Sequence, residues 1–157
     1  MTSGQSPQTT VDQLARQARH LLISFDGPIR SANAGNPPAQ YINEVLTACH
    51  ESGRSVAVVT AAPVAEVLAY TNAHELSTQI TIVAVSIRRA VSALEAQPAD
   101  CVAIASSPED VADARTAGVP AIAYATTPDY ADRLLRAGAR AFVYSLMDLA
   151  LKLRSAG

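Results

Sequence analysis

Short apolar runs alternate with amphipathic stretches from about residue 20 to the end of the chain. Six runs have strand length and are apolar enough to be buried on both faces: Leu21–Phe25, Ser55–Thr60, Ile80–Val85, Cys101–Ala105, Ala121–Tyr124 and Ala141–Tyr144. Six segments between and after them read as helices: Gln40–Glu51, Val64–His74, Ile87–Ala96, Pro108–Ala117, Pro128–Ala137 and Leu146–Leu153. Strands that are continuously apolar belong to parallel sheets, where each face meets a helix rather than water. The strand–helix alternation predicts βαβ units and a doubly wound, Rossmann-like α/β fold with helices on both faces of a parallel sheet.

The punctuation agrees with these elements. Pro108 follows Ser107 and Pro128 follows Thr127, the pattern of a capping hydroxyl and a first-turn proline. Gly53, Gly118 and Gly138 each fall where a helix should stop in a left-handed residue. The runs at 116–124 and 136–144 echo one another, as two copies of a helix–glycine–strand junction. The one loop-rich stretch is 30–39, and no linker divides the chain. Residues 19–157 therefore read as a single domain. Residues 1–18 read as a flexible lead-in or short helix, polar through Thr10 and rich in helix formers from Val11 to Arg19.

Composition narrows the class. The chain has 157 residues, 49% apolar and 17% charged, which suits one compact soluble domain with a real core. A net charge of -2 and seven aromatic residues without tryptophan argue against a nucleic-acid surface. No apolar run approaches the roughly 20 residues of a membrane span, and Met1–Thr10 lacks an apolar signal core, so a cytoplasmic protein is expected. Cys49 and Cys101 lack metal-ligand spacing and read as reduced, semi-buried residues. His20, His50 and His74 are scattered, as surface or strand-edge residues would be.

In doubly wound sheets, chemistry gathers at the carboxyl ends of the strands. There the first strand offers Ser24 and Asp26 before Gly27 and Pro28; the second ends in Thr60; the fourth is followed by Ser106, Ser107, Pro108, Glu109 and Asp110. The stretch His20–Ile29, an apolar run closing in Ser-Phe-Asp-Gly-Pro, resembles the first motif of the haloacid dehalogenase-like (HAD) superfamily, an apolar strand followed by Asp-x-Asp-Gly. The resemblance spans about Leu21 to Leu149 and is nearest to the small actinobacterial HAD-like hydrolases.

The resemblance implies a strand order of 5-4-1-2-3 with the sixth strand beyond the fifth. It implies that Asp26 stands at the general acid/base and that Ser24 stands where the family has its nucleophilic aspartate. Thr60 matches the hydroxyl that binds the phosphoryl group. Asp110 matches one of two Mg²⁺-holding acids, and Ser106 replaces the other. The family's third-motif lysine falls by spacing near Thr81, with Arg88 and Arg89 further on, and no lysine is there. Only residues 31–40 separate the first motif from the next helix, so a capless member is expected.

Phosphoryl transfer of this kind needs a carboxylate nucleophile, a hard divalent cation and a balancing positive charge. Loss of all three together implies a scaffold that has lost its chemistry. It would act by binding a small anionic ligand, with Thr60, Ser106 and Ser107 as contacts, or a protein partner. No cofactor is expected. If catalysis is retained instead, Asp26 and Asp110 would hold Mg²⁺ and the substrate would be a small phosphate ester. A third reading is a structural subunit, and a homo-oligomer is compatible with each. Each residue also has a plainer role: Asp26 as an Asx-turn residue, Thr60 as a strand-end hydroxyl, and Asp110 as an acid in a capped first turn. Ser24 has no histidine in the loops near it to serve as a base. Tyr124 and Tyr144 could line the pocket mouth or cover the sheet, and Arg133, Arg136 and Arg140 form a basic cluster on a solvated face.

Overall fold

The structure is a computed structural model and describes residues 7–26, 28–29 and 41–156. Six parallel strands, β1 (His20–Ser24), β2 (Ser55–Val59), β3 (Ile82–Ala84), β4 (Cys101–Ala105), β5 (Ala121–Tyr124) and β6 (Ala141–Val143), form one sheet in the order β3-β2-β1-β4-β5-β6. This is the order that the sequence resemblance implied. The helices are α1 (Pro7–Gln17), α2 (Ile42–Glu51), α3 (Val64–Ala73), α4 (Ile87–Ala93), α5 (Pro108–Ala117), α6 (Pro128–Ala137) and α7 (Leu146–Ala156).

The two faces of the sheet are chemically unlike. Alternate residues of a strand point to opposite faces. One face carries Leu21, Ile23, Val56, Val58, Val102, Ile104 and Ile122, packed with α1, α2, α3 and α7. The other carries Leu22, Ala57, Ala103, Ala105, Ala121 and Ala123, packed with α4, α5 and α6. Bulky side chains fill the first layer. Alanines let the backbones of the second layer approach closely. β4 is buried along its whole length and β1, β2 and β5 at all but their end residues, as the unbroken apolar runs require.

One face of α1 belongs to this core. Val11, Leu14, Ala15 and Ala18 are buried against β6 and α7, and the helix, one of the two readings of residues 1–18, begins at Pro7. Residues 1–6 lie outside the described residues. Arg54, just ahead of β2, ties the same corner together. Its guanidinium donates to the carbonyls of Ala15 (2.9 Å), Ala18 (2.8 Å) and Leu153 (3.1 Å), and to Ser52 Oγ (2.6 Å). A cation so placed satisfies helix-end carbonyls of α1 and α7 that would otherwise face one another.

The capping signals act as their chemistry predicts. Ser107 Oγ accepts the Asp110 N–H and Thr127 Oγ1 accepts the Tyr130 N–H, each ahead of a first-turn proline. Ser86 caps α4 in the same way, through the Arg89 N–H at 3.2 Å. Gly118 ends α5 at φ 77°, which a side chain would strain. At Gly138 (φ 125°) an added Cβ would also run into the Arg115 side chain.

A candidate site at the carboxyl edge of the sheet

Four loops converge where β1, β2, β4 and β5 end. Ser24 is the last residue of β1 and is buried. Its hydroxyl donates to Asp110 Oδ2 at 2.7 Å, across from the first turn of α5. Asp110 is held there by its own helix start, since its N–H is capped by Ser107 Oγ at 3.1 Å. The Ser107-Pro108 pair thus fixes the helix, and the helix aims the carboxylate at β1.

The neighbouring loop is anchored to the same place. Ser106 Oγ donates to the backbone carbonyl of Asp26 at 3.3 Å. The Ser106 carbonyl accepts a 2.6 Å hydrogen bond from the Tyr130 hydroxyl, which reaches over from α6. Asp26 itself is exposed. Thr60 is buried one strand away, and the Phe25 N–H joins the two strand ends by donating to the Val59 carbonyl at 3.0 Å. Thr60 Oγ1 accepts the Ala62 N–H at 2.9 Å, and the Thr60 N–H donates to the Ala84 carbonyl at 2.9 Å.

Ser24, Asp26, Ser106, Ser107 and Asp110 therefore meet, with Thr60 beside them. Thr81 does not. It precedes β3 and accepts the Val56 N–H at 3.1 Å, which puts it at the amino edge of the sheet. A residue serving the carboxyl edge must follow β3, and Val85, Ser86, Arg88 and Arg89 do so. Both arginines line a groove along the outer side of β3. Sequence reading also missed Tyr130. The signal was its place three residues after the capping Thr127, which puts it at the sheet-facing end of α6. Tyr124 is half-buried against the core, and Tyr144 is exposed and rests on Phe142 at 5.0 Å. Arg133 lies 5.7 Å over the Tyr130 ring, and Arg136 pairs with Asp132 on an open face.

No family model matches the chain, and no curated protein matches it in sequence. Solved structures do match. A protein assigned as a β-phosphoglucomutase from Bacteroides vulgatus aligns over 96% of this chain and 97% of its own, with a TM-score of 0.75 and 14% identity. The 3-deoxy-D-manno-octulosonate 8-phosphate phosphatase from Moraxella catarrhalis, solved with magnesium, phosphate and the sugar acid, aligns over 94% of this chain and 91% of its own at 18% identity, TM-score 0.65. The fold is that of the HAD-like hydrolases. The HAD-like match extends to a predicted phosphatase from Clostridium acetobutylicum, at 20% identity and a TM-score of 0.67 over 76% of this chain. The chain spans only 61% of that protein's length.

The magnesium ion in the Moraxella catarrhalis phosphatase raises the question of a cation here. The donor set fits one poorly. Mg²⁺ is held by hard oxygens, with carboxylates prominent. Here a single carboxylate, Asp110, faces the hydroxyl of Ser24, where a second carboxylate would be needed to share an ion. Among the described residues, no group of three His, Cys, Asp or Glu side chains is placed to share an ion. No helix among them is long and apolar enough to cross a membrane.

Proposed function

We propose that this chain keeps the HAD-like hydrolase fold as a binding scaffold and does not carry out phosphoryl transfer. The observation that carries this reading is the 2.7 Å hydrogen bond from Ser24 to Asp110. In the HAD-like pattern both positions hold acids, and acids so close need a cation between them. A hydroxyl donating to a carboxylate needs none, because the proton supplies the bridge. The pair satisfies itself and leaves neither a carboxylate nucleophile nor a shared cation site. Ser24 is no substitute nucleophile in this reading, since a carboxylate is a weak base toward a serine hydroxyl. His20 begins β1 at its far end, and His50 and His74 are exposed.

Of the two kinds of occupant, a protein partner is favoured over a small anion. The N-terminus of α5 already has Glu109 and Asp110 in its first turn. An incoming anion would meet Asp110 where it would seek the helix dipole. Residues 30–40 are too few for a cap of several dozen residues, which leaves the edge open to a large partner. A reducing, cytoplasmic setting belongs to the same reading, with both cysteines free and buried.

A second reading, an active phosphatase on a small phosphate ester using Asp26, is favoured by the exposure of Asp26 and by the phosphatase neighbours. Turnover on a broad panel of phosphate esters, with and without Mg²⁺, separates the two when Asp26→Asn is assayed beside the wild type. The scaffold reading expects no metal-dependent rate in either protein. A Mg²⁺-dependent rate that disappears in Asp26→Asn overturns it.

A further inference from the structure

β3 is one of the two edge strands of the sheet. β3 ends the sheet, with a strand neighbour on one side among the described residues. All three of its residues are only partly buried. Apolar grooves flank it on both faces. One, of about 670 Å³, lies between β3 and α4 and is lined by Val83, Ala84, Val85, Arg88, Ser92 and Ala93, among others. The other, of about 240 Å³, lies between β3 and α3 and includes Val64, Leu68, Ile80, Ile82 and Val83. Val64, Leu68 and Val85 are among the most exposed large apolar side chains of the molecule. An uncharged, open strand edge of this kind is ordinarily covered.

The charges of α4 say by what. Helices favour acids in the first turn and bases in the last. α5, α6 and α7 follow that rule, with Asp or Glu at the start and Arg in the last turn. α4 reverses it. Arg88 and Arg89 occupy its first turn, no base lies in its last, and Glu95 follows its end. All three are exposed. Within one molecule this arrangement opposes the helix dipole. It becomes favourable beside a second α4 running antiparallel, where each pair of arginines meets the other copy's Glu95. Small residues, Ser92 and Ala93, stand between the charged ends, where the two helices would approach most closely.

We propose that β3 pairs antiparallel with β3 of a second copy of this chain, making a two-fold dimer with a continuous sheet across the junction. The two-fold axis brings the amino end of one β3 to the carboxyl end of the other. It sets α4 against α4 with Arg88 and Arg89 opposite Glu95 at both ends, and it joins the apolar grooves of the two copies. This surface begins at the carboxyl end of β3 and runs outward along the edge strand, away from Ser24 and Asp110, and the proposal does not depend on whether the carboxyl edge turns over substrate.

The experiment is sedimentation equilibrium of the full chain across a range of concentrations at low salt. The expected result is a monomer–dimer equilibrium. Arg88→Glu with Arg89→Glu should raise the dissociation constant by about 10-fold or more, and adding Glu95→Arg should recover most of that loss. Val85→Lys, at a 58% exposed position, should also weaken the dimer while leaving the monomer folded by circular dichroism. A wild type that stays monomeric at roughly 100 μM overturns the proposal. So does a dimer that neither the arginine pair nor Val85→Lys affects. A charge swap that fails to rescue removes the antiparallel α4 arrangement and with it the two-fold model.

Discussion

Replacing Ser24 with aspartate tests the physical reading of the site most directly. Ser24→Asp puts a carboxylate where a hydroxyl now donates to Asp110 at 2.7 Å. Two effects add. The hydrogen bond to a charged acceptor is lost, at about 1.5–3 kcal/mol. Two like charges then sit about 4 Å apart, which costs about 4 kcal/mol at the effective dielectric of a protein near its surface. Relief by protonation bounds the second effect, because holding an ordinary carboxyl protonated at pH 7 costs about 4 kcal/mol. Solvent reaches Asp110 in part, so the expected net destabilisation is about 2–4 kcal/mol at pH 7 without divalent ions.

That destabilisation should fall on acidification, since one proton then bridges the pair. It should also fall on adding Mg²⁺. An ion bound at 100 times its dissociation constant returns about 2.7 kcal/mol. Wild type and Ser24→Ala provide the contrast. Ser24→Ala should lose about 1–2 kcal/mol and show no response to Mg²⁺. Urea denaturation of the three proteins at pH 5 and pH 7.5, with and without about 10 mM Mg²⁺ (100 times a dissociation constant of roughly 0.1 mM), reads all of these outcomes. A Ser24→Asp protein as stable as wild type, with no dependence on pH or Mg²⁺, would refute the argument that the hydroxyl takes the place of a cation.

Two further predictions concern the scaffold. Arg54→Ala removes the donor shared by Ala15, Ala18 and Leu153, and should cost about 2–4 kcal/mol, lowering Tm by roughly 4–16 °C. Arg54→Lys should recover only part of this, since one ammonium cannot reach all three carbonyls, and an unchanged Tm for the alanine variant would show that the contacts carry no net stability. Burial raises the Cys49 thiol from its usual 9.0 to about 12, and burial with the nearby Asp100 raises Cys101 to about 11. Neither thiol should react with Ellman's reagent at pH 8 until the chain is unfolded. The folded state holds these protons longer than the unfolded chain does, so their contribution is fully present below about pH 9 and is lost as pH rises through 11 to 12. A denaturation series from pH 7 to 11 whose stability did not fall above pH 9 would contradict it.

How much of this could be read along the chain depended on what set each element. β4, β5, α5 and α6 begin and end where the pattern puts them, because Ser107-Pro108, Thr127-Pro128, Gly118 and Gly138 mark their limits locally. β3 is shorter than its apolar run, Ile80–Val85, because an edge strand is paired on one side only. α4 stops at Ala93, with Glu95 in a left-handed conformation (φ 53°) that no glycine announces. At the site, the resemblance named Ser24, Asp26, Ser106 and Asp110, and the fold brings them together. The bond from Ser24 to Asp110 crosses 86 positions of sequence, and only the packing of α5 against the sheet creates it. The same holds for Tyr130 and Ser106, and for the placing of Thr81 at the wrong end of β3.

The burial of α1 against α7 and β6 has a meaning for synthesis. A ribosome releases α1 long before the surfaces that cover Val11, Leu14 and Ala15 exist. β1 likewise waits for β4 on one of its sides. The growing chain therefore presents apolar faces throughout translation and cannot close its core region by region. Folding of this core has to await emergence of α7, and a product that stops ahead of Ala141 would be treated by chaperones and proteases as unfinished.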